Sequence, residues 1–142
     1  MSVFLPARLR LELHNDIAEV PRVLEAVDMF IAENSIPENG AFKLNLVLDE
    51  LITNILTHGC QGRADCGAAL SVEYGGGVIR VDLVDNGVPF NPIEAPVPGI
   101  SASLEESHVG GLGVRLVRKY ATSMSYSHAG GNNNFHFEMT AG

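Results

Sequence analysis

The chain has 142 residues, of which 46% are hydrophobic and 18% are charged, and its formal net charge is −8. This length predicts a single domain, residues 1–142, because domains usually contain about 100 to 200 residues. The composition is typical of a compact fold and excludes a disordered, collagen-like or coiled-coil chain, and the negative charge disfavours binding to nucleic acid or an anionic membrane.

The sequence predicts neither a membrane anchor nor export. It has no apolar run of about 18 residues, the length that a transmembrane helix needs, and residues 1–6 lack the basic start and long apolar core of a signal peptide. We therefore expect a soluble cytoplasmic protein with no membrane partner. There, Cys60 and Cys66 are expected to be reduced loop thiols. A zinc site that also uses His58 is the alternative, although structural zinc sites usually have four ligands.

The first predicted elements are a strand and a helix. Leucines alternate with charged residues over 8–13, which indicates a strand with one apolar face. Asn15 or Asp16 is expected to cap the helix that follows, and its apolar residues recur at helical spacing until about Asn34. This pattern is typical of an amphipathic helix that packs on a sheet.

A second helix is predicted from about Ala41 to His58, with Gly59 as its terminator. Glu50 and Asn54 are four residues apart in it and therefore lie on the same flank, which His58 extends. A carboxylate and a carboxamide at the edge of an apolar stripe can hold a hydrated divalent cation and activate a hydroxyl group. A solvated helix flank accounts for the same pair without a function.

Two strands at 68–74 and 78–85, separated by three glycines, predict a hairpin. Asp85 has the parity of the apolar residues in the second strand and therefore points to the core side, where a carboxylate needs a partner. Either it caps the turn that follows, or it accepts a hydrogen bond from a ligand in a pocket. Gly87 correspondingly allows a ligand close to the backbone or supplies a turn with positive φ.

The last part of the chain predicts a long irregular segment, a helix and two strands. Residues 91–109 contain three prolines and no sustained periodicity, which is typical of a functional lid or a disordered segment. The Gly-Gly-Leu-Gly motif at 110–113 leads into a helix over 111–120, where free amide groups could receive phosphate; a simple glycine-rich turn is equally compatible. With strands at 124–128 and 134–139, the element order predicts an α+β two-layer sandwich, a mixed, mostly antiparallel sheet covered on one face by helices.

Several motifs occur in a distinctive order: Glu-Leu-Ile-Thr-Asn at 50–54, Asp-Asn-Gly-Val-Pro-Phe at 85–90, Gly-Gly-Leu-Gly at 110–113 and Gly-Asn-Asn-Asn at 131–134. Together they resemble the ATP-binding (Bergerat) fold of the GHKL superfamily, which is shared by gyrase, heat-shock chaperones, MutL and histidine kinases. Within it, the sequence is most similar to the small anti-sigma-factor serine/threonine kinases. The resemblance extends over essentially the whole chain.

The resemblance implies roles for four residues of the first two motifs. Asn54 would bind Mg²⁺ through its amide oxygen, and Glu50 would be the general base that accepts a proton from the attacking serine hydroxyl. Asp85 would accept a hydrogen bond from the adenine amino group. Gly87 would make room for the base.

The remaining motifs would complete the nucleotide site. Gly111, Leu112 and Gly113 would bring the backbone close to the phosphates, and residues 91–109 would fold over the nucleotide. Asn133 corresponds to an asparagine on the last strand of the family, beside the adenine. The segment 91–109 has no Lys or Arg, whereas some members of the family carry a lid cation that reaches the γ-phosphate.

The resemblance therefore implies a regulatory kinase that uses ATP and Mg²⁺. Its expected substrate is a serine of an anti-sigma-factor antagonist of the STAS type, and it would also sequester a sigma factor or similar regulator. It allows a homodimer through the first strand. A catalytically silent module that binds its partner only with nucleotide is the alternative. Phosphoryl transfer that depends on Glu50 would distinguish the kinase from the silent module.

Overall fold

A computed structural model of the chain describes residues 5–61, 63–93 and 111–142, and the side chains of Gly111 and Leu112 are not part of this description. The predicted lid lies outside the described residues from residue 94 onwards. The strands that are described form one five-stranded sheet. Their bounds are β1 Ala7–His14, β2 Gly67–Gly75, β3 Val78–Asp85, β4 Ser123–Ala129 and β5 Asn132–Thr140.

The strand order in this sheet is β1-β2-β3-β5-β4, and each described pair of neighbours is antiparallel. The hairpins β2–β3 and β4–β5 each turn through two glycines, Gly76-Gly77 and Gly130-Gly131, that all have positive φ. Two-residue turns of this kind match the twist of the strands, and glycine adopts them without steric cost. The sequence predicted the first of these hairpins, and of the second it predicted the two strands.

The helices are α1 Glu19–Glu33, α2 Glu38–Asn54 and α3 Gly111–Tyr120. The capping prediction for α1 is wrong: the helix starts after Ala18 without a side-chain cap, and Asp16 Oδ1 instead accepts a hydrogen bond from the Ala18 N–H in the preceding turn. None of the helices in the described part of the chain has the length and apolar composition that crossing a membrane requires.

Helix α2 continues into a π-helical turn at Ile55–Gly59. The Cys60 N–H donates to the Ile55 carbonyl at 2.8 Å, which is the five-residue spacing of a π-helix. Gly59 is therefore not the terminator that the sequence predicted, and its φ is not positive. The helical path ends one residue later, at Cys60.

The helices pack on one face of the sheet, so the predicted α+β two-layer sandwich is confirmed. The core between the layers is built from aliphatic and aromatic side chains, and each contributes about 1.5–3 kcal/mol when it is fully buried. Its largest fully buried members are Phe137, Leu44, Leu48, Ile52, Leu70, Ile79 and Met139.

The other face of the sheet is polar, because alternate residues of each strand point away from the helices. On this face His136 lies between two carboxylates, with Nδ1 at 2.9 Å from Asp82 and Nε2 at 3.1 Å from Glu138. Arg80 of β3 is 3.7 Å from Glu138 of β5 and adds a cation to this row. These contacts join neighbouring strands across the sheet.

Cys60 and Cys66 form a disulfide with a Cα–Cα distance of 5.3 Å. The expectation of two reduced thiols is therefore wrong, and the alternative zinc site loses both of its thiolates. Both cysteines are buried, and the bridge closes the loop between the π turn and β2. Within the ranges that the structure describes, no group of three or more potential metal-binding residues occurs.

Candidate functional site

A cavity of about 210 Å³ lies between the helical layer and the sheet. Its walls are largely apolar and come from α2, the π turn, the inward face of the sheet and the segment after β3. Asp85 and Asn133 supply polar groups from the sheet, and Asn54 and His58 supply them from the helical layer. An apolar cleft with a few fixed polar groups is the usual form of a small-molecule site. The structure thus brings Asp85 and Asn54 to one cavity.

Asp85 is the last residue of β3, and only 8% of it is exposed. Its Oδ1 accepts hydrogen bonds from the Gly87 N–H at 2.9 Å and from Asn133 Nδ2 at 3.0 Å. No donor to Oδ2 is found in residues 5–61, 63–93 and 111–142. Oδ1 therefore caps the turn, which is one of the two roles that the sequence left open. The other role, a hydrogen bond from a ligand, stays a prediction, and the carboxylate lines the cavity where such a ligand would lie.

Burial raises the pKa of Asp85 above its ordinary value, because a desolvated carboxylate is harder to ionise. The hydrogen bonds from Asn133 and Gly87 and the nearby His128 act in the opposite direction and lower this pKa, but by less. A buried carboxylate of this kind lowers the stability of the ligand-free protein, which is typical of a functional position.

Gly87 is packed tightly against the π turn. A Cβ atom at Gly87 would lie 2.6 Å from the Gly59 carbonyl oxygen, and the next residue, Val88, donates its N–H to the same oxygen at 2.9 Å. The φ of Gly87 is not positive, so the turn interpretation of this glycine is wrong. The structure requires glycine here because two backbone segments meet; room for a base remains a prediction.

The flank of α2 carries the next group of predicted residues. Glu50 and Asn54 are half-buried, whereas Asp49 is exposed. A Cβ atom on Gly113 would lie 3.1 Å from the Glu50 Cβ and 3.5 Å from Asn54 Nδ2, so the first turn of α3 rests directly on this pair. The positive end of the α3 dipole therefore lies beside the carboxylate and the carboxamide.

His58 is exposed and lines the cavity from the π turn, beyond Asn54 along the helix. A π turn displaces the following residues relative to an α-helix, and such turns are frequent at functional sites. Here the turn carries the Gly59 carbonyl to the segment after β3. It thus fixes the edge of the cavity.

Sequence reasoning missed Tyr126 and gave Asn133 no firm role. Asn133 is 4% exposed and donates to Asp85, and the Tyr126 hydroxyl donates to the Asn133 side-chain oxygen. A usable signal was present, because Asn133 shares the parity of Phe135 and Phe137 in β5 and so points to the core. The same parity argument had identified Asp85.

A five-stranded sheet with helices on one face and a cavity between the two layers is the arrangement expected of a GHKL domain. Residues 13–135 match the model of a family described as the histidine kinase-like ATPase domain, and the chain belongs to this family. The sequence resemblance to GHKL proteins is therefore confirmed.

Among curated proteins, the chain is similar to the serine/threonine-protein kinase BtrW of Bordetella bronchiseptica. The two are 29% identical over 100 residues, which are 70% of this chain and 69% of BtrW. The name of this relative, a serine/threonine-protein kinase, agrees with the kinase class that the sequence resemblance implied.

Two solved structures show the same fold. The RsbU and RsbW domains of Rv1364c from Mycobacterium tuberculosis superpose with a TM-score of 0.64 at 14% identity, over 94% of this chain and 32% of that one. The blue-light activated histidine kinase EL346 of Erythrobacter litoralis gives a TM-score of 0.57 at 20% identity, over 87% of this chain and 41% of that one. The chain thus spans less than half of either solved chain.

Proposed function

We propose that the protein is a regulatory serine/threonine kinase that binds Mg-ATP and phosphorylates a serine of a STAS-type anti-sigma-factor antagonist. It would also sequester a sigma factor or a similar regulator. The observation that supports this most directly is the shared cavity of Asp85 and Asn54, two residues with separate predicted roles at opposite ends of a nucleotide. The similarity to a serine/threonine kinase supports the reaction type.

The base of the nucleotide would occupy the apolar part of the cavity. Asp85 Oδ2 would accept a hydrogen bond from the 6-amino group of adenine, since Oδ1 is already bonded to Gly87 and Asn133. A hydrogen bond to a buried charged acceptor is stronger than one in water. The site would therefore prefer a purine with an amino group at this position.

The phosphates would lie along the α2 flank and the first turn of α3. The residues here fit a hydrated Mg²⁺, because this ion takes most of its ligands from water and phosphate oxygens and needs only one or two from the protein. Asn54 would supply one through its amide oxygen. When bound, the metal neutralises charge on the transferred phosphoryl group. Gly113 would let the phosphates approach the backbone of α3, where amide groups and the helix dipole favour anions.

Glu50 lies one turn before Asn54 and would act as the general base. It would accept the proton of the serine hydroxyl while that oxygen attacks the γ-phosphate. The adjacent Asp49 is exposed and points away from this flank, so it is not a competing base.

The first test is calorimetric titration of the protein with ATP and ADP, with and without Mg²⁺. We expect ATP binding that Mg²⁺ strengthens, and Asn54→Ala should remove the strengthening while binding of metal-free ADP persists. An absence of binding at millimolar nucleotide would refute the proposal.

The second test measures phosphoryl transfer to candidate antagonist proteins. Glu50→Gln should lower the transfer rate by about 10²–10⁴-fold, the usual contribution of a general base, with nucleotide affinity nearly unchanged. Asp49→Asn is the matched control and should keep the wild-type rate. If the wild-type protein binds nucleotide but transfers phosphate to no partner, the alternative function, a catalytically silent binding module, is correct. The lack of Lys and Arg in residues 91–109 favours this alternative.

A further inference from the structure

The carboxamide of Asn133 makes a full set of hydrogen bonds to the protein. Its Nδ2 donates to Asp85 Oδ1 and to the Val88 carbonyl, each at 3.0 Å. Its Oδ1 accepts from the Phe90 N–H at 3.0 Å and from the Tyr126 hydroxyl. A carboxamide has two N–H donors and an oxygen with two lone pairs. Each of these is occupied, so Asn133 has no hydrogen-bonding capacity left for a ligand.

We propose that Asn133 is a positioning residue for purine recognition, which holds the Asp85 carboxylate in one orientation and couples it to the backbone of residues 88–90. This inference rests on the proposed function, because it assigns the orientation of the group that would recognise adenine. The family resemblance had placed Asn133 beside the adenine without assigning it a role.

The register of the sheet fixes the position of Asn133. Asp85 and Asn133 are direct partners in the β3–β5 ladder, so the two side chains start from adjacent points of the sheet. Tyr126 reaches the same amide from β4, where its direct partner is Phe135, two residues further along β5. Side chains in direct and diagonal positions on one sheet face are close enough to interact.

The carboxylate needs this support because its last torsion is broad and roughly two-fold. A half-turn only exchanges two equivalent oxygens, but with the Gly87 N–H as its one donor the plane of the carboxylate could rotate away from the orientation in which the second oxygen is available to a ligand. The second hydrogen bond, from Asn133, directs Oδ1 to the sheet and leaves Oδ2 for the ligand. Loss of the bond from Asn133 should therefore weaken recognition of the purine amino group more than binding of the rest of the nucleotide.

The same amide also holds the edge of the cavity. Val88 is bound from both sides, by its N–H to the Gly59 carbonyl and by its carbonyl to Asn133, and the Phe90 N–H is bound to Asn133 as well. The side chains of Val88 and Phe90 are nevertheless 57% and 47% exposed, and both line the cavity. A change at Asn133 is therefore transmitted to residues that a ligand would contact.

The experiment compares ADP with the diphosphate of purine riboside, which is ADP without its 6-amino group. We expect the wild-type protein to prefer ADP by about 10- to 100-fold, the value of a hydrogen bond to a charged acceptor. In Asn133→Ala, that preference should fall below about 3-fold, because the affinity for ADP should fall by more than the affinity for the purine riboside diphosphate. Asn134→Ala, on the opposite face of the same strand, is the matched control and should keep the wild-type preference.

Tyr126→Phe provides a milder variant in case Asn133→Ala does not fold. It removes one donor to the Asn133 oxygen and leaves both bonds from Asn133 Nδ2 in place. The preference for ADP should fall by an intermediate factor, about 2- to 5-fold. If Asn133→Ala and Tyr126→Phe, or whichever of the two folds, keep the wild-type preference for ADP, the positioning role is overturned.

A nucleotide-free measurement separates this inference from the proposed function. The pKa of Asp85, followed by NMR in the free protein, should rise in Asn133→Ala, because a hydrogen bond that favours the ionised form is lost. His128 and His58, which lie near the carboxylate and along the same cavity, are titrated in the same spectra. If wild type binds neither nucleotide, the proposed function and the role in purine recognition both fail, and the pKa decides only whether Asn133 holds the Asp85 carboxylate: a rise supports this contact, and an unchanged or lower value refutes it.

Discussion

Substituting Gly87 by alanine should destabilise the protein, although the residue lies in a loop with an ordinary backbone conformation. The new Cβ would be 2.6 Å from the carbonyl oxygen and 2.8 Å from the carbonyl carbon of Gly59. Both are backbone atoms, so no side-chain rotation can relieve the overlap. The π turn and the segment after β3 would have to separate, and the hydrogen bond between the Val88 N–H and the Gly59 carbonyl would stretch or break.

The expected loss follows from these two contacts. Overpacking of a tight site costs about 1–3 kcal/mol, and loss of one hydrogen bond adds about 1 kcal/mol. The free energy of unfolding should therefore decrease by about 2–4 kcal/mol in Gly87→Ala. For a chain of this size, where 1 kcal/mol shifts Tm by about 4 °C, this corresponds to a drop in Tm of roughly 8–16 °C.

Urea unfolding and a thermal melt, both followed by circular dichroism without nucleotide, measure this loss. Gly59→Ala is the matched control, since a Cβ atom at Gly59 would have nothing within 4 Å. Because alanine is favoured over glycine in a helix by about 0.5–1 kcal/mol, this variant should be as stable as wild type or slightly more so. A loss below about 0.5 kcal/mol in Gly87→Ala, the usual range of surface substitutions, or an equal loss in both variants, contradicts the close packing described here.

Three further predictions concern the disulfide and two titrating side chains. Changing both Cys60 and Cys66 to serine should lower the free energy of unfolding by about 2 kcal/mol, a modest loss because the loop that the disulfide closes is short. Equal urea midpoints for the wild-type protein with and without reductant would contradict a stabilising disulfide. Burial raises the pKa of Asp85 above its ordinary 3.8, so the folded state binds the extra proton, and stability should fall as pH rises through the raised pKa. Asp85→Asn should remove this dependence and make the nucleotide-free protein more stable near neutral pH while abolishing adenine recognition; a pH profile parallel to that of wild type would exclude the assignment. Burial lowers the pKa of His136, but its two carboxylate partners raise it by more, so that the net pKa lies above 6.5. The stability that protonated His136 contributes is therefore full below pH 6.5 and should be lost as pH rises through the raised pKa. Urea unfolding measured across that pH range should show this dependence in wild type and not in His136→Gln.

Local periodicity was sufficient to predict most of the fold. The bounds predicted for α3 and for β3 agree with the structure, because glycines and alternating apolar residues mark them clearly in the sequence. The inward orientation of Asp85 and the common flank of Glu50 and Asn54 also followed from strand and helix geometry. In the structure, Glu50 and Asn54 also lie against Gly113, a contact that the sequence did not predict. The chemical roles of Asp85, Glu50 and Asn54 remain predictions.

Features that depend on distant contacts could not be predicted in this way. The hydrogen bond from Asn133 to Asp85 requires β3 and β5 to be neighbours, and 48 residues separate the two positions. The π turn forms where the Gly59 carbonyl meets Val88, which no local pattern reveals. The disulfide was missed because two cysteines alone, in a chain expected to be cytoplasmic, favour free thiols.

The change of pitch after Asn54 also determines how the chain tolerates changes in length. A π turn is equivalent to an α-helix that has accommodated one additional residue. Deleting a single residue within Ile55–Gly59 could therefore be absorbed by a return to regular α-helical pitch, without moving α2 or Cys60. A sequence comparison across this point should accordingly place a one-residue gap inside the turn, so that the Glu50–Asn54 pair and the glycine at 87 stay aligned on either side.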